Sequence, residues 1–265
     1  MPPPEVHSPG VGVPLLEVRA VSKRFGGVSA LKDMTLSMGE TEIVGLIGPN
    51  GAGITSFFNC VTGLLPIDEG EIVFQGNKRL NGLSPNKILE AGVARTFQNL
   101  RIFKNMTLLE NVAIGFHTRT RSGLFDALFH TRCFEVEERM IFTRGMELLH
   151  FIGLESLGNE IAGNLPYGSQ KRLEIARALA AEPKLLLLDE PVAGMNSREK
   201  VEIAGLIRRV REKGIAVLLI EHDMKVVMPL SDRVVVMDEG RKIAEGRPEA
   251  VQGDARVIQA YLGEG

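Results

Sequence analysis

The run Gly48-Pro49-Asn50-Gly51-Ala52-Gly53-Ile54-Thr55-Ser56 lies between a short apolar, β-branched segment and a helical pattern. Glycines at this spacing let backbone N–H groups turn inward around an anion, while the helix that follows directs its positive dipole end at it. Thr55 would offer a hydroxyl to Mg²⁺. The run fits the phosphate-binding pattern G-x-x-x-x-G-K-S/T with one exception: Ile54 stands where the pattern has lysine. Alone, such a loop also suits an ordinary strand-to-helix turn.

Four other segments carry chemistry-bearing residues. Leu185 to Asp189-Glu190-Pro191 is an apolar strand ending in two carboxylates, which suits a metal-holding acid beside a general base but also a strand that ends in solvated acids. Ile220-Glu221-His222-Asp223-Met224 closes another apolar strand, where a lone histidine is equally compatible with a structural role. Leu165-Pro166-Tyr167-Gly168-Ser169-Gln170 is a glycine turn entering a basic-tinged helix. Arg95-Thr96-Phe97-Gln98-Asn99 offers an amide that is either functional or a solvated loop side chain.

The elements that must hold these residues follow from periodicity. Leu15 to Val21 and Met34 to Met38 alternate as half-buried strands around a Gly26-Gly27 turn, predicting an antiparallel opening. Thr41 to Ile47, the glycine loop and Thr55 to Gly63 read as strand, loop and helix. From about Pro85 to Ala162 strand signals are sparse, and Leu108 to Phe116 and Phe134 to Ile152 show helical spacing, predicting an inserted helical subdomain over about residues 88–165. Three more apolar strands, beginning at Lys184, Gly214 and Arg233, alternate with helical patterns and imply a mostly parallel sheet. The tail from Pro248 to Leu262 reads as one short helix.

Composition narrows the function classes. The chain has 265 residues, 44% of them hydrophobic, enough for an ordinary core. Lys plus Arg number 31 against 33 Asp plus Glu, so no basic excess exists to hold a polyanion and nucleic acid is not an expected partner. Cys60 and Cys133 cannot form a disulfide framework, which favours a reducing compartment. The apolar runs Leu185 to Leu188 and Ile215 to Ile220 are far shorter than the roughly 20 residues that cross a bilayer. Residues 1–14, with Pro2, Pro3, Pro4, Pro9 and Pro14 and no Lys or Arg, read as a flexible leader ahead of a single domain over 15–265.

In order and spacing these motifs resemble the nucleotide-binding subunits of ATP-binding cassette transporters, from Leu15 to Glu264. Strings such as Arg95-Thr-Phe-Gln-Asn-Leu-Arg-Ile-Phe, Asn164-Leu-Pro-Tyr-Gly, Ala193-Gly-Met-Asn and Glu221-His-Asp-Met-Lys-Val-Val-Met are similar to the Liv-type branched-chain amino acid importers. The resemblance implies an α/β P-loop NTPase fold with a mostly parallel core sheet, an N-terminal antiparallel β subdomain and an inserted α-helical subdomain. It also implies bound ATP and Mg²⁺, with Phe25 stacking on adenine and Gly48 to Ser56 as the Walker A loop. By the same likeness Gln98 senses Mg²⁺ and the membrane domain, and Leu165 to Gln170 form the signature loop facing a partner's ATP. Asp189 corresponds to the Walker B acid, Glu190 to the catalytic base, Ala193, Gly194, Met195 and Asn196 to the D-loop, and His222 to the switch histidine.

The implied partners are a second ATPase subunit, a distinct chain or a second copy in a hetero- or homodimer, polytopic permease subunits and, indirectly, a solute-binding protein, at the cytoplasmic face of the inner membrane. The basic stretch His117 to Arg121 and the apolar Leu124 to Phe129 are expected on the side facing the permease, or as a solvated face with local core. The chain departs from the family pattern in two motifs. Ile54 lacks the ammonium that bridges phosphates, so this chain's own ATP site is expected to be crippled and crowded; Pro166 and Ser169 replace serine and glutamine in the signature.

Overall fold

The structure, a computed structural model, describes residues 13–118 and 132–262. The leader up to residue 12, most of the stretch 117–129 and the end of the tail lie outside the described residues, as does the side chain of Cys133. Two sheets form the frame. β1 (Leu16–Phe25), β2 (Val28–Met38), β4 (Glu69–Phe74) and β5 (Lys78–Arg79) make an antiparallel sheet in the order β2-β1-β4-β5. The expected hairpin closes through Gly26, whose φ of 56° lies in the left-handed region, and pairs Phe25 with Val28.

The second sheet has the order β10-β9-β3-β8-β7-β6. β3 (Ile43–Ile47), β6 (Val93–Arg95), β7 (Leu185–Asp189), β8 (Ala216–Ile220) and β9 (Arg233–Asp238) run parallel, and β10 (Arg241–Gly246) returns antiparallel along β9. Strands β3, β7 and β8 are buried along their whole length, as parallel strands covered on both faces must be. Alternate side chains feed two cores. Val44, Leu46, Leu185, Leu187 and Leu218 pack with Phe57 and Phe58 of α1 (Ile54–Val61) and with the antiparallel sheet. Ile43, Leu186, Leu188, Val217 and Leu219 face the helices on the other side.

α2 (Pro85–Ala91) buries Ile88 and Ala91 in the first core, whereas α3 (Leu108–Gly115), α4 (Arg132–Phe151), α5 (Tyr167–Leu179) and α6 (Ser197–Glu212) pack on the second. α3 starts on a capping box in which the Thr107 hydroxyl accepts from the Glu110 amide and Glu110 reaches back to the Thr107 amide. α7 (Met224–Leu230), α8 (Pro248–Gln252) and α9 (Ala255–Leu262) complete the order.

Several elements differ from the sequence reading. β4, β5 and β10 were not predicted, and β6 lies inside the span read as helical; its three residues are too few for any period to register. The tail divides into two helices at Gly253-Asp254, where the Asp254 carboxylate accepts from the Arg256 amide and starts α9.

Candidate functional site

The parallel strands deliver their C-terminal ends to one edge of the sheet, where ligands of such folds gather. β3 leads into the glycine loop, β7 ends in Asp189 and Glu190, and the residues after β8 are Glu221 and His222. Together they border a cavity of about 530 Å³ lined by Pro49 to Ser56, Gln98, Asp189, Glu190 and His222, with Val28 to Ala30, Lys32, Ile220 and Glu239 on its flanks. Residues far apart in the chain thus meet in one cleft.

The loop is shaped by its backbone. Gly51 and Gly53 have φ of 81° and 95°, and a Cβ on Gly53 would stand 2.3 Å from the Ala30 carbonyl oxygen. On Gly48 it would stand 2.2 Å from the carbonyl oxygen of Met237, so β2 and β9 press the loop into its curve. α1 begins at Ile54 with neither a capping side chain nor an acidic residue in its first turn. Its first amides are therefore free to face an anion. Thr55 is exposed, whereas Ile54 is only 7% exposed and belongs to the apolar core under the loop. The side chain at position 54 thus contributes packing where the pattern has a cation.

On the opposite wall Gln98 and His222 meet at Glu190, and Asp189 is paired with Arg95. Gln98 Nε2 donates to Glu190 Oε1 at 3.1 Å, and His222 Nε2 stands 3.4 Å from the same oxygen. Glu190 itself adopts a left-handed φ of 46°, while its amide donates to the Ile220 carbonyl at 3.0 Å. Non-glycine residues hold such angles only where their surroundings enforce them. Asp189 is buried and ion-paired to Arg95, Nη2 to Oδ2 at 2.7 Å. The other terminal nitrogen of Arg95 donates to Asn59 Oδ1 at 2.6 Å, tying α1 to β7.

Beneath His222, the buried Glu221 accepts from the amides of Val192 at 2.8 Å and His222 at 3.1 Å. Desolvation raises its pKa above the ordinary carboxylate value, and those backbone hydrogen bonds oppose the rise.

The cleft is poor in positive charge. Asp189, Glu190 and Glu239 line it, against Lys32 as the one permanent cation among the described lining residues. Lys32 is itself 3.7 Å from Glu239. Thr55 and Asp189 both line the cavity, and a hydroxyl and a carboxylate there suit Mg²⁺, an ion that keeps waters and phosphate oxygens in its shell. Among the described residues no group of three or more His, Cys, Asp or Glu could hold a metal without such help.

The other predicted residues lie elsewhere. Phe25, half exposed at the end of β1, is outside the cavity lining, although its register partner Val28 is within it. Leu165 to Gln170 form the entry to α5, with Tyr167 exposed and Pro166 at the cap position, offering no side-chain cap. Gln170 Nε2 donates to the Leu165 carbonyl at 2.8 Å and Ser169 Oγ accepts from Arg172 at 3.0 Å. A Cβ on Gly168 would meet Glu199 Oε1 at 2.9 Å. Glu199 forms a capping box with Asn196, so the Ala193 to Asn196 segment and the glycine turn pack together. Gly194 turns there with φ of 73°, and Met195 is buried.

Sequence reading did not single out Arg95, Glu221 or Lys32. The signal for Arg95 and Glu221 was a charged residue abutting an apolar strand, a placement that burial makes costly without a partner. Cys60, on the buried face of α1, has its thiol pushed up to about 11 by desolvation.

Comparison with known proteins bears directly on this arrangement. Residues 31–193 match the ABC transporter family, and residues 241–265 match the branched-chain amino acid ATP-binding cassette transporter family. The high-affinity branched-chain amino acid transport ATP-binding protein BraF of Pseudomonas aeruginosa is 43% identical over 252 residues, covering 95% of this chain and 98% of its own. LivG of Escherichia coli, which carries the same description, is 44% identical with the same coverage. A nucleotide-free ATP-binding cassette from an ABC transporter superposes with a TM-score of 0.82 at 34% identity, over 94% of this chain and 98% of that one. An ADP-bound cassette superposes with a TM-score of 0.83 at 34% identity, over 95% and 100%. With a glycine cradle, a carboxylate pair and a histidine meeting at one sheet edge, the chain belongs to the ATP-binding cassette transporter family, in its branched-chain amino acid branch.

Proposed function

We propose that the chain is the ATP-binding, energy-coupling subunit of an importer of branched-chain amino acids, with its own phosphate loop weakened by Ile54. The observation that carries this reading is the junction of Gln98, Glu190 and His222 across the cleft from a loop that is correctly curved but lacks its cation. In this reading Glu190 takes the proton of an attacking water, Gln98 holds the Glu190 carboxylate in place, and His222 donates to the transferring phosphoryl group. Mg²⁺, when bound by Thr55 and Asp189, supplies charge neutralisation for the phosphates. Loop amides from Gly51 to Ser56 cradle the phosphates, and Phe25 covers the base.

Replacing a charge-assisted lysine contact by an apolar side chain removes about 1.5–3 kcal/mol, roughly ten- to hundredfold in affinity. The turn Leu165 to Gln170 and the segment Ala193 to Asn196 then face a second subunit's nucleotide, so Ile54 weakens one composite site and leaves the other to the partner's own loop. A related cassette described as dimeric in a post-hydrolysis state with ADP and Pi, of TM-score 0.73 and 25% identity, supports a paired arrangement. No helix among the described residues is long and apolar enough to cross a membrane, in keeping with a peripheral subunit docked on permease chains at the cytoplasmic face.

Ile54 also favours a second reading, a non-catalytic cassette that docks on and supports an active partner ATPase. Titration of the purified chain with Mg²⁺-ATP and with AMP separates the two. The first reading expects ATP to bind more tightly than AMP by about tenfold or more; equal affinities favour the docking role.

A further inference from the structure

Behind the cleft, α5 carries a buried ion pair that reaches none of the proposed reacting groups directly. Lys171 and Glu174 are 1% and 2% exposed, and Lys171 Nζ lies 3.4 Å from Glu174 Oε2. Burying two charges is costly, and a well-packed apolar pair would stabilise the core as well or better. Their remaining hydrogen-bonding capacity goes to a single loop. Lys171 donates to the carbonyls of Phe97 at 3.0 Å and Gln98 at 3.1 Å. Glu174 Oε1 accepts from the amides of Phe97 at 3.5 Å and Arg101 at 3.3 Å. The pair thereby grips the backbone on both sides of Gln98, whose own side chain is exposed and bonds to Glu190.

We propose that Lys171 and Glu174 are positioning residues for Gln98, locking its loop to the helix that begins at the Leu165 to Gln170 turn. The inference rests on the ATPase reading above and deepens it. The turn that faces the partner's nucleotide and the glutamine that serves this chain's own cleft are parts of one body. A shift of α5 moves the Gln98 carbonyl through Lys171, and with it the amide on Glu190.

The test uses the full chain carrying Ile54→Lys, compared with the same chain bearing Lys171→Met, Lys171→Arg or Glu174→Gln. Hydrogen exchange without nucleotide reads the lock itself. Exchange of the Phe97 and Arg101 amides should accelerate about ten- to hundredfold in Lys171→Met, with β7 unchanged, and return close to the parent value in Lys171→Arg. ATP turnover reads its purpose: kcat should fall about tenfold in Lys171→Met with KM within about twofold, and Lys171→Arg should recover it.

Unchanged exchange in Lys171→Met, or faster exchange with unchanged kcat, overturns the proposal. So does a parallel change in kcat and KM that Lys171→Arg fails to rescue. Should Lys171→Met not fold, Glu174→Gln carries the same comparison. If the parent chain with Lys171 intact hydrolyses no ATP, the ATPase reading fails, while the exchange result still decides whether the lock exists.

Discussion

The two walls of the cleft solve different problems. The glycine loop is built by backbone shape, fixed by Gly48 and Gly53 against the Met237 and Ala30 carbonyls, and it keeps that shape with isoleucine at position 54. The opposite wall is built by held side chains: Gln98 on Glu190, Arg95 on Asp189, and Glu221 on the amides of Val192 and His222. One wall therefore tolerates the loss of a side chain in form but not in charge. The other would lose geometry with any member.

Glu190→Gln should have the largest effect. Removing the proposed base should lower turnover of the assembled ATPase by about a hundred- to ten-thousandfold, with nucleotide affinity changed little, as measured by steady-state kinetics beside binding titration. Gly53→Ala attacks the other wall. A side chain there combines a φ of 95° with a 2.3 Å approach to the backbone of β2, so it should destabilise the fold by more than about 1–3 kcal/mol, read from the denaturation midpoint. If Gly53→Ala were as stable as the parent and bound nucleotide equally well, the loop would not be preformed by its backbone.

Asn196→Ala tests the junction between the glycine turn and α6. Its oxygen accepts from the Arg198 and Glu199 amides at 3.0 Å, so its loss should cost about 1 kcal/mol and lower the melting temperature by a few degrees. The smallest effect concerns Glu221. Its pKa is raised in the folded chain, chiefly by desolvation, so it favours the fold at pH below the ordinary carboxylate value. That contribution is lost as pH rises through the raised value. Glu221→Gln should therefore flatten the stability profile between those limits, followed by urea unfolding across a pH series; an unaltered profile would contradict the assignment.

Much of this was legible from residue order. β3, β7, β8 and β9 are legible as short apolar runs, and residues following β3, β7 and β8 line one cavity. β6 was not legible, since Val93 to Arg95 is a strand only because β7 lies beside it. Arg95 gives no sign of its partner in the sequence, because Asp189 is distant in the chain and their 2.7 Å contact depends on strand order. The two tail helices read as one because apolar spacing continues across Gly253, and the break depends on a local Asp254 turn. Ile54 was legible as a missing cation; that its side chain joins the core beneath the loop was not.

The loop wall lacks charge while the side-chain wall is intact, and ATP hydrolysis by the full chain beside its Ile54→Lys form, at matched Mg²⁺ and protein concentration, shows which of the two limits turnover. The Ile54→Lys substitution should raise kcat/KM about tenfold or more. Equal activities of the two folded proteins would mean that the missing ammonium does not limit the site.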